Sequence, residues 1–146
     1  MKFDYDFLKY CYKKFEVPFT AESESKLESS EEIGFKSERV HVDKTGVERK
    51  YIIEVLLCKT DLETSQKFRI AISFVDFTMA EFEHITSDIK PDVMRDVNFY
   101  TDTVEGKDVP MLLIVGTLCN SDDNETKFNA ISNKTDYWFN KLKFNI

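Results

Sequence analysis

Two histidines, His41 and His84, are the side chains best suited to acid–base or metal chemistry near neutral pH. His84 and Asp88 are one helical turn apart, and with His41 or Asp76 they could in principle hold a metal ion. Two histidines are a poor ligand supply, however, and we expect no metal site and no cofactor. The simpler interpretation places His41 on a solvent-facing strand position and His84 on a helix surface.

The tripeptide His84-Ile85-Thr86 resembles the H-x-T motif of the two-histidine phosphoesterases, whose paired H-x-T or H-x-S motifs place two imidazoles around a phosphate group. This resemblance implies a phosphodiesterase that uses His84. The second motif departs from the family pattern, since His41-Val42-Asp43 has Asp at the position of the hydroxyl residue. No nucleophile-elbow, zinc-protease, P-loop or dinucleotide-binding motif is present, so the sequence favours a protein that is not an enzyme.

The three cysteines, Cys11, Cys58 and Cys119, are widely separated and form no C-x-x-C pair. An odd number without that spacing indicates neither a zinc site nor a disulfide framework. Cys58 and Cys119 lie in apolar runs, so we interpret them as small core residues and not as nucleophiles paired with a histidine. Reduced thiols and the lack of a long apolar segment predict a cytoplasmic protein with no membrane association.

Acidic residues outnumber basic ones, with 27 Asp and Glu against 20 Lys and Arg, and the net charge is −7. Such a charge opposes contact with phosphate backbones, so we expect no nucleic-acid partner. An acidic surface complements a basic protein surface and speeds association with it. The charge balance therefore favours a protein that binds another protein, with a basic partner as the natural complement.

The most strongly patterned stretch spans residues 51–77, where two alternating apolar runs flank a polar connector. Because strand side chains alternate between faces, each run predicts one buried face and together they predict a β-hairpin. The side chains expected inside are Tyr51, Ile53, Val55, Leu57, Phe68, Ile70, Ile72 and Phe74.

This hairpin, with its Glu54-Val55-Leu56-Leu57 strand, polar turn and F-x-I-x-I-x-F strand, resembles the central meander of the SecB-type export chaperones. The resemblance implies a homo-oligomeric holdase that binds unfolded chains. It covers residues 51–77 alone, and the carboxy-terminal half lacks the proline-rich helix region of that family.

The first half of the chain contains three further predictions around the hairpin. An amphipathic pattern with Asp4 or Asp6 as cap predicts a helix up to Phe15, and an edge strand is the alternative. Residues 20–32 hold five Glu and only one sizeable apolar residue, which predicts a mobile acidic loop with serines open to phosphorylation. Residues 33–43 predict a strand with a bulge near Ser37 that keeps both apolar pairs on one face.

The second half contains a capping box at Thr78 and Glu81, which predicts a helix over residues 79–89. Residues 98–101 predict a short strand, and residues 109–119 predict a central strand covered on both faces, with Pro110 at its beginning. Residues 127–132 predict another strand, and residues 136–142 a final helix or strand that carries Trp138.

Glu54 is the charge that bears most on function, because it stands in mid-strand between Ile52 and Leu56. It is either a surface residue of a half-apolar face or an internal carboxylate that pairs with Arg69 or Arg39. If the face is uncovered, its apolar patch marks a binding or oligomer surface. The candidate binding residues are Ile52, Glu54, Leu56, Val75 and Trp138.

These observations together predict one α+β domain over residues 1–146, with a mainly antiparallel sheet of about five to six strands, an N-terminal helix and one or two further short helices. The function they favour is that of a small acidic inhibitor or immunity-type protein of phage or bacterial kind. The alternatives are a SecB-like holdase and a phosphodiesterase.

Overall fold

The computed structural model describes residues 2–59, 65–90 and 96–146, which form four helices and five strands. The helices are α1 (Tyr5–Lys14), α2 (Ala21–Ser29), α3 (Met79–Ile85) and α4 (Asn124–Phe139). The strands are β1 (Glu32–Val42), β2 (Glu48–Cys58), β3 (Ser65–Ser73), β4 (Val97–Val104) and β5 (Lys107–Cys119). The protein is an α+β protein, as the sequence predicts.

The five strands form one sheet in the order β1-β2-β3-β5-β4, and every neighbouring pair is antiparallel. The predicted hairpin is present as β2 and β3, although most of its polar connector lies outside the described residues. β5 lies beside β3 and β4 forms the second edge, so the meander β1-β2-β3 and the hairpin β4-β5 meet at the β3–β5 pairing.

The sheet has one covered face, which carries the alternating side chains that the hairpin pattern places inside. Leu57, Ile70 and Ile72 are fully buried, and Phe74 is buried just beyond the end of β3. Apolar side chains of all four helices join the same cluster. The helices therefore pack on this face, because it is where their apolar sides can leave water.

Helix α1 confirms the helical interpretation of the N-terminal segment. Asp4 caps it by accepting a hydrogen bond from the Phe7 backbone N–H at 3.3 Å. Phe7, Leu8 and Cys11 fall on the helix side that packs on the sheet, and all three are buried. The edge-strand alternative is excluded.

Helix α2 replaces the mobile acidic loop predicted at residues 20–32. Thr20 and Ser23 form a reciprocal capping box, which satisfies backbone donors at the start of the helix. Leu27 is only 1% exposed and anchors the helix in the core. The prediction counted apolar residues but overlooked that one buried Leu and a capping box are enough when the rest of the domain supplies the packing partners.

Strand β1 pairs with β2 in continuous register from Glu32 to Val42, so the bulge predicted near Ser37 does not exist. Ile33 and Phe35 are buried on the covered face, whereas Val40 and Val42 are 53% and 58% exposed on the opposite one. The prediction assumed that both apolar pairs must be buried, but the second half of an edge strand is free to expose its valines.

Strand β5 is central in the sheet but is covered on one face only, contrary to the prediction. Leu112, Ile114 and Leu118 are buried among the helices. Met111 and Leu113 face the other way and are half-buried. The almost uniformly apolar run predicts that both faces of the strand are covered by other elements. On the face away from the helices, however, the side chains of neighbouring strands shield the apolar residues of β5 sufficiently.

Helix α4 contains the residues 127–132 that the sequence assigned to a strand. Asp123 caps it, accepting from the Thr126 N–H at 2.8 Å. Lys127 and Ile131 are buried one helical turn apart, a spacing typical of a helix. The helix continues to Phe139, so Trp138 lies in its last turn. The pattern is weak from Val93 to Lys107, and residues 93–95 of this segment lie outside the described residues.

Candidate functional site

The side of the sheet opposite the helices is an open face built by strand side chains alone. In β2 the alternation that buries Ile53 and Val55 turns Ile52, Glu54 and Leu56 outward, where all three are half-buried. The sequence predicted these three residues as one face, and the structure places them together on a surface that no described helix covers.

A cleft of about 440 Å³ runs along the middle of this open face. Its floor is apolar and comes from three neighbouring strands, with Leu56 from β2, Ala71 from β3, and Met111 and Leu113 from β5. Tyr100 of β4, which is 50% exposed, stands at one side. The remaining lining residues are Glu32, Glu54, Arg69, Thr101 and Asp102.

Three carboxylates and one guanidinium line the cleft, which makes its rim acidic. Arg69 pairs with Glu32 through Nη2, and Cys58 contacts the same carboxylate. Glu54 makes no ion pair with any described residue, so Arg69 is not its partner. Among the described residues, Asp102 accepts a hydrogen bond only from the N–H of the adjacent Thr103, at 2.9 Å. Two carboxylates on the rim are thus available to cations from outside.

Glu54 takes its position because residue 34 is a glycine. A Cβ at Gly34 of β1 would collide with the Glu54 carboxylate, and it would also press on Leu56 at 3.1 Å. The side chain therefore lies across β1 toward the edge of the sheet. It stays partly covered while its oxygens remain without a cationic partner among the described residues.

Three of the five candidate residues, Ile52, Val75 and Trp138, do not line the cleft, although Ile52 lies on the same open face. Val75 follows β3 at the end of the open face, where its carbonyl accepts a hydrogen bond from the Lys107 Nζ at 2.9 Å. Trp138 packs on the core from α4, with its ring 5.2 Å from that of Tyr137. It belongs to the helix side of the sheet and cannot share a surface with Ile52.

Sequence reasoning missed Tyr100, Met111 and Leu113, which supply much of the cleft. Met111 and Leu113 could have been found from the alternation in residues 109–119, because the odd-numbered side chains of this strand share one face. Since the run is almost uniformly apolar, the sequence predicts that this face is covered. The short strand predicted at residues 98–101 already contained Tyr100, but its position beside β5 could not be derived without the strand order.

Both histidines contact residues of the C-terminal segment. The His84 ring nitrogen Nε2 hydrogen bonds Asn145 Oδ1 at 2.8 Å, and the His41 ring lies 5.2 Å from the ring of Phe144. The Thr86 hydroxyl of the H-x-T motif is buried and donates to the Phe82 carbonyl at 2.7 Å. This hydroxyl is therefore engaged at the end of α3.

The cysteines differ in their thiol chemistry because their surroundings differ. Burial raises the pKa of Cys11 to about 12, and burial also raises the pKa of Cys58. Cys119 is exposed, and the hydrogen bond with the Ser121 hydroxyl lowers its pKa. Within the described ranges, no cluster of three or more His, Cys, Asp or Glu side chains could hold a metal ion.

The fold defines an α+β protein with one open sheet face, and the cleft on that face is its candidate site. Comparison of the chain with protein-family models, with curated proteins and with solved structures gives no match. None of the helices described is both long and apolar enough to cross a membrane.

Proposed function

We propose that this protein is a non-enzymatic binding module whose open face binds a partner protein that presents basic side chains around an apolar patch. The observation that carries the proposal is the cleft, in which an apolar floor of Leu56, Met111 and Leu113 adjoins two carboxylates, Glu54 and Asp102. Neither carboxylate has a cationic partner in the part of the chain that the structure describes. An inhibitor or immunity-type role is the form of binding that these features favour.

The floor and the rim contribute different parts of the interaction. Burial of the apolar floor supplies most of the free energy, at roughly 25 cal/mol per Å² removed from water. Carboxylates on the rim fix the orientation of the partner, and a net charge of −7 accelerates its approach. A partner with Lys or Arg beside an aliphatic or aromatic patch satisfies both requirements.

The experiment compares two variants of equal net charge. Glu54→Gln with Asp102→Asn removes both rim charges with almost no change of shape. Glu28→Gln with Glu83→Gln removes two charges from exposed positions on α2 and α3. Partners captured from a host lysate by the tagged wild-type protein are identified by mass spectrometry, purified, and titrated against all three proteins at low and high salt.

We expect the rim variant to bind the captured partner at least about tenfold more weakly than the wild type, and with a smaller dependence on salt. The control variant should bind like the wild type. Equal affinity of the two variants would contradict the proposal.

A SecB-like holdase would bind unfolded chains through the apolar floor of the cleft and would not need the carboxylates of the rim. A reduced, carboxymethylated protein that cannot fold serves as the probe for that function. Binding of this probe that survives the rim variant but is lost in Leu113→Arg would favour the holdase over the inhibitor.

A further inference from the structure

Strand β1 offers an unpaired edge along its whole length of 11 residues. It pairs with β2 on one side only, and no backbone hydrogen bond within the described segments joins its other side to another part of the chain. The strand has no proline and no bulge, and these are two of the devices with which proteins protect such edges. Charged side chains remain on the edge, so a strand that pairs with it must complement these charges.

The charges on β1 select which strand fits. Lys36 and Glu38 lie on the open face, on either side of Ser37, which is the midpoint of Glu32–Val42. If a second copy of β1 pairs antiparallel about this midpoint, Lys36 of each copy lies opposite Glu38 of the other, and both strands overlap completely. Moving the centre by one residue puts Lys36 opposite Lys36 or Glu38 opposite Glu38, which is repulsive.

The same register accounts for an exposed valine near the end of the edge. Val40, 53% exposed in the single chain, lies opposite Gly34 of the second copy. In the single chain the flexible Glu54 side chain lies over this glycine, so it turns aside to admit the valine of the second copy. The pairing therefore covers an apolar side chain that the isolated chain leaves in water.

On the covered face the register brings Arg39 opposite Phe35 of the second copy. Phe35 stacks on Phe15 at 4.8 Å, and both line a groove of about 150 Å³ between β1 and α4, with Asp136 at its mouth. Neither Arg39 nor Asp136 makes an ion pair with a described residue. Arg39 of one copy can lie over the Phe35 ring of the other and pair with its Asp136.

We propose that two copies of this chain associate through β1, antiparallel about Ser37, and form a continuous ten-stranded sheet. The two-fold axis is normal to the sheet, so both open faces lie on the same side. The other edge strand, β4, contains no basic residue and cannot pair with itself through opposite charges. This proposal does not depend on the function of the open face.

The test measures association of the full chain by sedimentation velocity and native mass spectrometry over a concentration series. Lys36→Glu and Glu38→Lys each replace two attractive pairs with two repulsive ones, and we expect each to raise the dimer dissociation constant about tenfold or more. The combined variant Lys36→Glu/Glu38→Lys restores opposite charges at every pair between the two copies, although it removes the ion pair of Glu38 with Lys50 at 3.2 Å within each copy. It should therefore dimerise more tightly than either single variant.

Mixing the two single variants gives a second readout that does not depend on the wild type. One variant then carries two acidic residues at these positions and the other two basic ones, so we expect heterodimers in excess of either homodimer. Lys13→Glu on α1 and Glu125→Lys on α4 reverse exposed charges elsewhere and serve as controls that leave dimerisation unchanged. Thermal unfolding of each variant verifies that it is folded.

A wild-type chain that is monomeric at about 100 µM would overturn the proposal, since that is the weak end of specific association. It would also be overturned by a dimer that the single reversals do not weaken, or by single variants that do not form heterodimers on mixing.

Discussion

Asp43 shows how a single carboxylate can organise a turn and connect it to a helix. Its Oδ1 accepts hydrogen bonds from the Thr45 N–H at 2.9 Å, the Thr45 hydroxyl at 2.6 Å and the Val47 N–H at 3.0 Å. Its Oδ2 accepts from Arg49 Nε at 3.0 Å, and Arg49 Nη1 also bonds Glu81 of α3 at 2.9 Å. The β1–β2 turn and α3 are therefore held by one charged network.

The first prediction concerns the pH dependence of this network. The Thr45 hydroxyl, followed by the Val47 N–H, lowers the pKa of Asp43 to about 2. The pKa in the unfolded chain is higher, near 3.9. The carboxylate thus stabilises the fold above about pH 4, and this contribution is lost as the pH falls through about 2.

We expect Asp43→Asn to be less stable than the wild type at pH 7, and the difference between the two free energies of unfolding to shrink between about pH 4 and pH 2. Urea unfolding of both proteins at several pH values measures it. A difference that stays constant over this range would show that the charge of Asp43 does not stabilise the fold.

At the scale of elements, two glycines in strands make a matched pair. A Cβ at Gly116 of β5 would collide with the ring of Phe68, which is 1% exposed and enclosed by the core. A Cβ at Gly34 of β1 would collide with the carboxylate of Glu54, which is the end of a flexible side chain at the surface. The Phe68 ring cannot move away from an added Cβ, whereas the Glu54 side chain can.

We predict that Gly116→Ala lowers the free energy of unfolding by about 1–3 kcal/mol through overpacking. Gly34→Ala should change it by less than about 0.5 kcal/mol, because Glu54 can turn toward water. Denaturant unfolding of both variants measures this, and Gly116→Ala/Phe68→Leu should recover part of the loss. Equal effects of the two alanines would contradict the packing argument.

The strands of the hairpin could be predicted from the sequence because alternation is a local signal. The first strand of the predicted hairpin lies within β2, and its inward residues are buried as expected. Helices α2 and α4 could not be predicted in the same way. Their apolar residues are sparse, with Leu27 alone in α2, and the burial of Lys127 depends on a partner from the other end of the chain.

At the scale of the whole molecule, the chain is joined across its length by one buried ion pair. Lys127 Nζ of α4 lies 3.1 Å from Asp4 Oδ2, the cap of α1, and 5.4 Å from the centre of the Phe7 ring. The lysine side chain is 3% exposed and that of Asp4 27%. An ammonium group so well covered requires its counter-charge.

We expect Asp4→Asn, which can still cap α1, to destabilise the protein by about 3 kcal/mol because it leaves Lys127 buried without a counter-charge. Asp4→Asn/Lys127→Met should recover most of that loss, since no isolated charge remains. A double-mutant cycle by urea unfolding measures the coupling. Additive effects of the two substitutions would mean that the pair contributes nothing.

The open face shows what the sequence could and could not reveal about the candidate site. Ile52, Glu54 and Leu56 were found because their spacing in one strand is sufficient to place them together. Met111 and Leu113 come from a strand about 60 residues away along the chain, so their position depends on the order of the strands. The sequence around Trp138 does not indicate on which side of the sheet this residue lies, and the structure places it on the side of the helices.

The strand order also bears on how the chain reaches this structure. β1, β2 and β3 are consecutive, as are β4 and β5, so each group can form from contacts that are close along the chain. The β3–β5 pairing, from Ser65↔Cys119 to Ser73↔Met111, requires closure of a much longer loop. We expect formation of the β3–β5 pairing to limit the rate of folding. Substitutions in this pairing should therefore slow folding more than they accelerate unfolding.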